Sequence, residues 1–260
     1  EIVHWGKKNF FKWIEKNIKK GEIGFDPWLH SYKEIISLSE AFAHSGISFA
    51  PSENLIDKVW LNRPAKTSSK AINYPVELAG LSAKEKCQKI TENIKFKKAN
   101  SALITLPDSI AWLLNLRGND VIHNPILHAF LIIDSEGYVK IFCNNAGLLH
   151  SISNLESFVK VFPMENFETI LAELTGSVLM DETTAPFAAV KILQANGSEP
   201  MMGEDPIILP KACKNPVEIR HARLCHKRDA IHMCEFLSWL DTQNENEFDE
   251  IDVVIELENF

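Results

Sequence analysis

The stretch SALITLPDSIAWLLNLRGNDVIHNPILHAFLII, residues 101–133, places a strand, a helix, a polar loop and a second strand in immediate succession. SALITL is an apolar run of the length of a buried strand, and AWLLN is the apolar part of a helix. We expect Asp108, directly after Pro107, to cap that helix. Strands that alternate with helices in this way predict an α/β fold.

The flanking segments extend the α/β pattern over residues 78–209. Ser82 and Glu85 form a capping box that opens a helix running to about Lys98. Residues 128–133 and 138–143 alternate around DSEG, which is typical of an antiparallel hairpin. Further helices are predicted at residues 154–162, 167–174 and 185–194, and a strand is predicted at SVLMD, residues 177–181.

The residues before this region predict a smaller strand–helix–strand unit. GEIGFDP and ISFAP are the two strands, and the helix between them opens with a capping box of Ser31 and Glu34. This order predicts parallel pairing of the two strands. An amphipathic helix at residues 9–18 precedes the unit, and the polar, proline-containing residues 62–77 favour a linker after it.

A long helix is predicted after residue 214. Asn215, Pro216 and Glu218 supply a cap, a pre-set φ and a carboxylate in the first turn. Apolar residues then recur at helical spacing from Ile219 to Leu240. We expect this stripe to pack on another part of the chain, to pair with a second copy as a homodimer, or to stay exposed, with dimerisation or disorder near residues 215–260.

Composition and charge exclude several classes of protein. The 260 residues are 45% hydrophobic and 24% charged, as in an ordinary globular protein. The net charge is −8, and residues 241–260 carry eight acidic side chains without Lys or Arg, so no nucleic-acid partner is predicted. The apolar runs are too short for a membrane span. Five cysteines without regular spacing favour a reducing cytoplasm over a disulfide framework.

Metal binding is the first chemistry that the residue types suggest. His221, Cys225 and His232 lie at offsets of four and seven on the predicted long helix, and a pair four apart can chelate zinc. A convergent fourth ligand and an HExxH pattern are missing, so packing is the favoured interpretation. A segment predicted to be a flexible loop adds three carboxylates, interpreted as solvated: Glu199, Glu204 and Asp205.

The polar loop after AWLLN is the second candidate, since the chain contains no GxSxG, GxGxxG or Walker pattern. Arg117 and Gly118 fit a helix C-terminus, where glycine adopts the left-handed conformation and arginine lies near the last carbonyls. The residues that follow are turn formers: Asn119, Asp120, His123, Asn124 and Pro125. Composition alone therefore favours a structural loop.

LPDSIAWLLNLRGNDVIHNPILHAF resembles the middle domain of the three-domain Xaa-Pro aminopeptidases, a family of creatinase/prolidase-like metallopeptidases. Three more segments resemble the same family in the same order: GFDPWLHS at residues 24–31, SENLIDKVWLNRP at residues 52–64, and KACKNPVEIRHARLCHKRDAIHMCEFLSWL at residues 211–240. The resemblance covers essentially the whole chain.

The resemblance implies a creatinase N-terminal-domain-like (ribonuclease-H-like) α/β fold, with a mixed sheet flanked by helices. It places residues 1–65 in the C-terminal part of a first non-catalytic domain, residues 66–77 in a linker, and residues 78–209 in a middle creatinase-like domain. Residues 210–260 would then hold the opening helices of a truncated catalytic domain of pita-bread shape.

The resemblance also implies a chemistry for the complete enzyme. Such enzymes remove an N-terminal residue that precedes proline, using two divalent metals, usually manganese, to activate water. Two Asp, one His and two Glu hold these metals beyond the opening helix, and the chain ends at Phe260 before such motifs. We therefore expect no metal ligand and no catalytic residue here, and an inactive segment that shapes substrate access. Three residues are expected to face the cleft: Arg117, His123 and Asn124.

Two alternatives share this fold. A prolidase or creatinase relative would act on a different substrate. A non-enzymatic relative would use the peptidase-like fold only to bind a protein.

Overall fold

The computed structural model describes residues 6–64, 69–144, 146, 157–244 and 248–260, which form two compact units. The first unit comprises residues 1–74 and 82–211, and the second comprises residues 75–81 and 212–260. Residues 65–68, which include the start of the predicted linker, lie outside the described residues.

The first unit begins with the predicted strand–helix–strand arrangement. Helix α1 (Lys7–Asn17) precedes strand β1 (Gly21–Phe25), helix α2 (Tyr32–Ala41), strand β2 (Ile47–Pro51) and the short helix α3 (Leu55–Val59). The strands β1 and β2 pair in parallel, which confirms the predicted orientation. Buried residues from both strands, from α1 and α2 and from the start of a later helix form their core: Ile14, Phe25, Ile35, Leu38, Phe42, Ile47 and Phe187.

Only half of the capping box predicted for α2 forms. The Ser31 hydroxyl accepts a hydrogen bond from the Glu34 backbone N–H at 3.2 Å. The Glu34 carboxylate turns to His30 instead, with Oε2 3.0 Å from Nδ1. The helix start therefore keeps one of the two reciprocal bonds, and the other is replaced by an exposed side-chain pair.

A six-stranded mixed sheet forms the body of the first unit. Its strands are β4 (Ser101–Ile104), β6 (Ala129–Asp134), β7 (Val139–Cys143), β8 (Val159–Pro163), β9 (Ser177–Met180) and β10 (Glu199–Met202). They lie side by side in the order β10-β9-β4-β6-β7-β8. β4 pairs in parallel with β9 and antiparallel with β6, and the β6–β7 hairpin is antiparallel, as predicted. β9 and β10 pair in parallel, as do β7 and β8.

Two expectations about these strands were wrong. Residues 159–162, predicted as part of a helix, belong to β8, where pairing with β7 outweighs the local helical spacing; residues 154–156 of that predicted helix lie outside the described part of the chain. Residues 199–202, predicted as a loop, form the edge strand β10.

Helices cover both faces of the sheet. Their bounds are α5 (Ala83–Phe96), α6 (Pro107–Leu113), α7 (Phe167–Ala172), α8 (Phe187–Ala195) and α9 (Ile208–Ala212). Successive strand residues point to opposite faces. Leu131 and Ile133 of β6 accordingly belong to the core with α5 and α6, while Phe130 and Ile132 belong to the core with α7 and α8. The predicted capping box of Ser82 and Glu85 on α5 is confirmed.

Backbone hydrogen bonds attach the strand–helix–strand part to the larger sheet. The Tyr32 N–H donates to the Ala185 carbonyl at 2.9 Å, and the Phe187 N–H donates to the His30 carbonyl at 2.9 Å. Lys33 and Glu182 add an exposed ion pair at 2.5 Å, which raises the pKa of Lys33. The first unit is therefore one body with a shared interior.

The second unit contains α4 (Val76–Ala79), α10 (Pro216–Leu240) and α11 (Glu250–Asn259). Asn215 caps α10 as predicted: its Oδ1 accepts from the Val217 and Glu218 backbone N–H groups at 2.9 and 3.0 Å. Its Nδ2 donates to the Ala79 carbonyl at 2.8 Å, which ties α4 to α10. No helix in the described ranges is long and apolar enough to cross a membrane.

Candidate functional site

The polar loop that follows α6 begins with a residue in the left-handed conformation. Asn115 adopts φ 51° and is buried, so this residue, and not Gly118 as predicted, turns the chain out of the helix. Asparagine tolerates this region because its short side chain can form a compensating hydrogen bond. That bond comes from Lys86 of α5, whose Nζ lies 2.7 Å from Asn115 Oδ1.

Lys86 is a buried lysine that sequence reasoning missed. Its side chain is 1% exposed, and its Nζ also donates to the Trp112 carbonyl at 2.9 Å and lies 4.3 Å from the centre of a Trp112 ring. A cation near the last carbonyls of a helix is favourable because these groups carry partial negative charge. The only sequence signal for this burial was that Lys86 interrupts the apolar face of α5.

Arg117 lies on the two-residue strand β5 (Leu116–Arg117), which pairs antiparallel with β3 (Ile72–Asn73). Its Nη1 donates to the Ala111 and Leu116 carbonyls at 3.0 and 2.8 Å. The guanidinium carbon lies 4.1 Å from the centre of the Tyr74 ring. The proximity to helix-end carbonyls expected for Arg117 is therefore present, and the half-buried guanidinium group also supports the loop.

Gly118 is required by close packing. A Cβ atom at this position would lie 2.3 Å from Leu127 Cδ2 and 2.8 Å from the Ile126 carbonyl oxygen. The loop therefore folds back on itself directly after Arg117, which brings residue 118 against residues 126 and 127.

Asp120 holds both sides of this loop. Its carboxylate accepts hydrogen bonds from the backbone N–H groups of Ser69 and His128, at 2.7 and 2.8 Å. Partial burial raises the pKa of Asp120, but the bonds from His128 and Ser69 outweigh this effect and hold the pKa below its ordinary value. The carboxylate is thus a structural acceptor that stays ionised at neutral pH.

His123 and Asn124 lie at the exposed tip of the loop. A backbone bond from the Asn124 N–H to the Val121 carbonyl, 3.1 Å, closes a turn in which His123 adopts φ 61°. A left-handed residue other than glycine costs about 1–3 kcal/mol when it has no local compensation. The structure therefore brings His123 and Asn124 together on the surface, whereas the Arg117 side chain turns toward the Ala111 carbonyl and Tyr74.

The other candidates are distributed along the chain. His221, Cys225 and His232 lie on α10. The described residues contain no group of three or more His, Cys, Asp or Glu side chains arranged to hold a metal ion.

One of the three carboxylates interpreted as solvated is buried. Asp205 is 5% exposed, and its Oδ1 accepts from the Ile207 backbone N–H at 2.8 Å. Burial raises the pKa of Asp205 because the charged carboxylate is less stable away from water. Ser109 lies beside the carboxyl group, and its side chain opposes this rise in pKa.

The helix α6 begins at Pro107, so Asp108, which was expected to cap it, lies in its first turn instead. The Asp108 carboxylate accepts a hydrogen bond from Lys211.

Comparison with known proteins identifies relatives along the whole chain. A protein of Talaromyces stipitatus described as "Probable Xaa-Pro aminopeptidase P" is 30% identical over 99% of this chain and 42% of its own length. A protein of Ajellomyces dermatitidis with the same description is 32% identical over 93% of this chain and 42% of its own length. The chain thus spans about two fifths of the length of these curated relatives.

A solved structure shares the fold. The X-prolyl aminopeptidase from Caenorhabditis elegans, described as a cytosolic enzyme with a di-nuclear active site, superimposes with a TM-score of 0.83 at 23% identity. The match covers 100% of this chain and 44% of that one. The family model for the creatinase/prolidase N-terminal domain matches residues 62–218. This chain therefore belongs to the creatinase/prolidase N-terminal domain family.

Proposed function

We propose that this chain is a non-catalytic part of a metal-dependent Xaa-Pro aminopeptidase, which removes an N-terminal residue that precedes proline. The observation that carries the proposal is the 32% identity to a probable Xaa-Pro aminopeptidase P over 93% of the chain. The substrates of the complete enzyme would be peptides with proline at the second position, and its location the cytoplasm. The description of the C. elegans relative as cytosolic supports the location.

The proposed division of labour follows the predicted domains. Residues 1–65 would complete a first non-catalytic domain, residues 66–77 would link it to the middle domain of residues 78–209, and residues 210–260 would open the catalytic domain. The β1–β2 pair and the six-stranded sheet are separate sheets, which supports a boundary between the first two of these domains. The cap at Asn215 supports a new element at the start of the third.

Two divalent metals, manganese in our proposal, would serve the complete enzyme by lowering the pKa of a bound water. The di-nuclear site ascribed to the C. elegans relative supports the number. The described residues of this chain do not fit such a pair of metals, because they offer no group of three or more suitable side chains. We therefore assign no step of the reaction to a metal held here.

His123, Asn124 and Arg117 would contribute to the substrate cleft of the complete enzyme. The support is local: His123 is exposed and held at φ 61°, and backbone strain at an exposed turn is common where a ligand is bound. Asn124 follows it on the same turn. Arg117 would contribute indirectly, by supporting the loop that carries this turn. Its guanidinium group already binds two backbone carbonyls and lies against the Tyr74 ring.

The non-catalytic role is tested on the purified 260-residue chain. With added manganese and a peptide carrying proline at the second position, we expect no release of the N-terminal residue and no heat of manganese binding in calorimetry. The Ajellomyces dermatitidis relative, assayed in parallel, is the positive control. Turnover by the chain above the buffer blank would overturn the proposal.

The family function is tested with a chimera in which this chain replaces the matched part of that relative. We expect the chimera to cleave Xaa-Pro peptides. His123→Ala and Asn124→Ala should lower kcat/KM about tenfold or more, while Asn119→Ala, elsewhere in the loop, serves as the matched control. Equal kinetics for all variants would show that this turn does not contribute to the substrate cleft. For Arg117→Ala we expect losses in both turnover and stability.

A further inference from the structure

The polar loop after β5 folds as a narrow hairpin that ends in a tight turn. The Asp120 N–H donates to the Ile126 carbonyl at 3.2 Å, and the Asn124 N–H donates to the Val121 carbonyl at 3.1 Å. Val121 and Asn124 also form an isolated antiparallel bridge. We call residues 121–124 the tip turn.

The tip turn has a conformation that its own sequence does not favour. His123 occupies the third position of the turn and adopts φ 61°. A positive φ at the third position is typical of a type II turn, where glycine or asparagine is usual. Because a histidine with positive φ is strained, the surrounding structure must hold this conformation.

The two ends of the hairpin belong to the core. Gly118 is buried, and Ile126 and Leu127 are 8% and 4% exposed. Asn119 is exposed and Asp120 is half-buried. Asp120 therefore lies where the chain leaves the core, directly before the tip turn.

The Asp120 side chain joins both sides of the hairpin to the segment before β3. Its Oδ1 accepts a hydrogen bond from the Ser69 N–H at 2.7 Å, and its Oδ2 accepts one from the His128 N–H at 2.8 Å. The Ser69 hydroxyl accepts from the Asn119 N–H, also at 2.7 Å. Hydrogen bonds to a charged acceptor are stronger than those between neutral groups. This carboxylate is thus well placed to fix the direction in which the tip turn leaves the core.

We propose that Asp120 is a positioning residue, which sets the tip turn in the orientation that receives a bound peptide. Asp120 does not touch the peptide in this proposal, because it acts through the backbone that carries His123 and Asn124. The identity of the ligand rests on the proposed function. The effect of Asp120 on the turn is independent of that function, so the two are tested separately.

The effect on the turn is tested in the 260-residue chain by amide hydrogen exchange, measured by NMR. Asp120→Ala should accelerate exchange of the Asn124 N–H about tenfold or more, because the turn opens locally more often. The control is Asp134→Ala at the opposite end of β6, where Asp134 Oδ1 accepts from the Glu136 and Tyr138 N–H groups at 2.9 Å. The control also removes an acceptor of two backbone N–H groups and should leave exchange at Asn124 unchanged. Equal exchange at Asn124 in Asp120→Ala and wild type would overturn the proposal.

The role toward the peptide is tested in the chimera with the Ajellomyces dermatitidis relative. Asp120→Ala should raise KM about tenfold and change kcat less than about twofold, because a displaced turn weakens contacts made equally in the substrate complex and the transition state. Asp120→Asn, which keeps one acceptor oxygen, should have an intermediate KM, and Asp134→Ala should keep the wild-type KM. A loss of folded enzyme alone would lower kcat at constant KM, and that result for Asp120→Ala would overturn the proposal.

Combination with His123→Ala shows whether Asp120 acts through the tip turn. If it does, the KM of Asp120→Ala/His123→Ala should be close to the larger of the two single-variant values. A KM raised by the product of the two single effects would overturn the proposal. An inactive wild-type chimera would overturn the proposed function and with it the role toward the peptide. An active chimera whose KM does not respond to Asp120→Ala would overturn the role of Asp120 alone.

Discussion

The ammonium group of Lys86 donates a 2.7 Å hydrogen bond to Asn115 Oδ1 inside the core of the first unit. This bond joins α5 to the left-handed residue that ends α6 and begins the candidate loop. The position of Arg117 and of the turn beyond it therefore depends on a lysine in a preceding helix.

Replacing Lys86 by methionine should destabilise the first unit. The substitution keeps the length of the side chain but leaves Asn115 Oδ1 and the Trp112 carbonyl without their charged donor, and hydrogen bonds to charged groups are worth about 1.5–3 kcal/mol each. We expect a loss of about 2–4 kcal/mol in the free energy of unfolding, measured in urea. Lys84→Met, at an exposed position of α5, should change it by less than about 0.5 kcal/mol. Equal effects of the two substitutions would contradict the assignment.

Gly118→Ala should be destabilising despite the small size of the added methyl group. The Cβ atom would lie 2.3 Å from Leu127 Cδ2 and 2.8 Å from the backbone oxygen of Ile126, so the backbone must shift. Overpacking of this kind costs about 1–3 kcal/mol, which thermal unfolding would detect. Asn119→Ala, at the exposed neighbouring residue, is the control. A Gly118→Ala protein as stable as the control would show that the loop can shift to accept the methyl group without loss of stability.

Asp205 should make the free energy of unfolding fall as pH rises, whereas a salt-bridged aspartate makes it increase. Its folded-state pKa is raised by burial, so its favourable contribution is complete below the unfolded value of about 3.9 and is lost as pH rises through the folded pKa. Asp205→Asn keeps an acceptor for the Ile207 N–H and removes the charge. We expect the variant to gain stability relative to wild type as pH increases from about 4 to 7. Unfolding curves with a constant difference across this range would contradict the prediction.

Asn215→Ala should weaken the start of α10. The substitution removes two capping bonds to the helix and the bond to the Ala79 carbonyl, and loss of a cap typically costs about 1 kcal/mol and up to about 2 kcal/mol. Loss of helical circular dichroism on heating should begin at a lower temperature than in wild type. Lys214→Ala, immediately before the cap, is the control, and an equal shift for both variants would argue against the cap.

Local signals determined the elements whose bonds close within a few residues. The capping box of Ser82 and Glu85 and the cap at Asn215 each join groups two or three positions apart, so the sequence alone identified them. The antiparallel hairpin of β6 and β7 was predictable for the same reason, because its turn and its alternating pattern are adjacent in the chain.

Tertiary structure decided what depends on distant partners. Residues 159–162 carry a helical spacing yet pair with β7, and residues 199–202 resemble a loop yet extend the sheet beside β9. The burial of Lys86 and Asp205 follows from helices and strands that enclose them from far along the chain. The sequence determined the pieces and the family because these depend on short-range hydrogen bonds and motifs. The environment of each site residue depended on tertiary packing. Burying a charged group is unfavourable unless hydrogen-bond partners offset it, and no local sequence pattern specifies those partners.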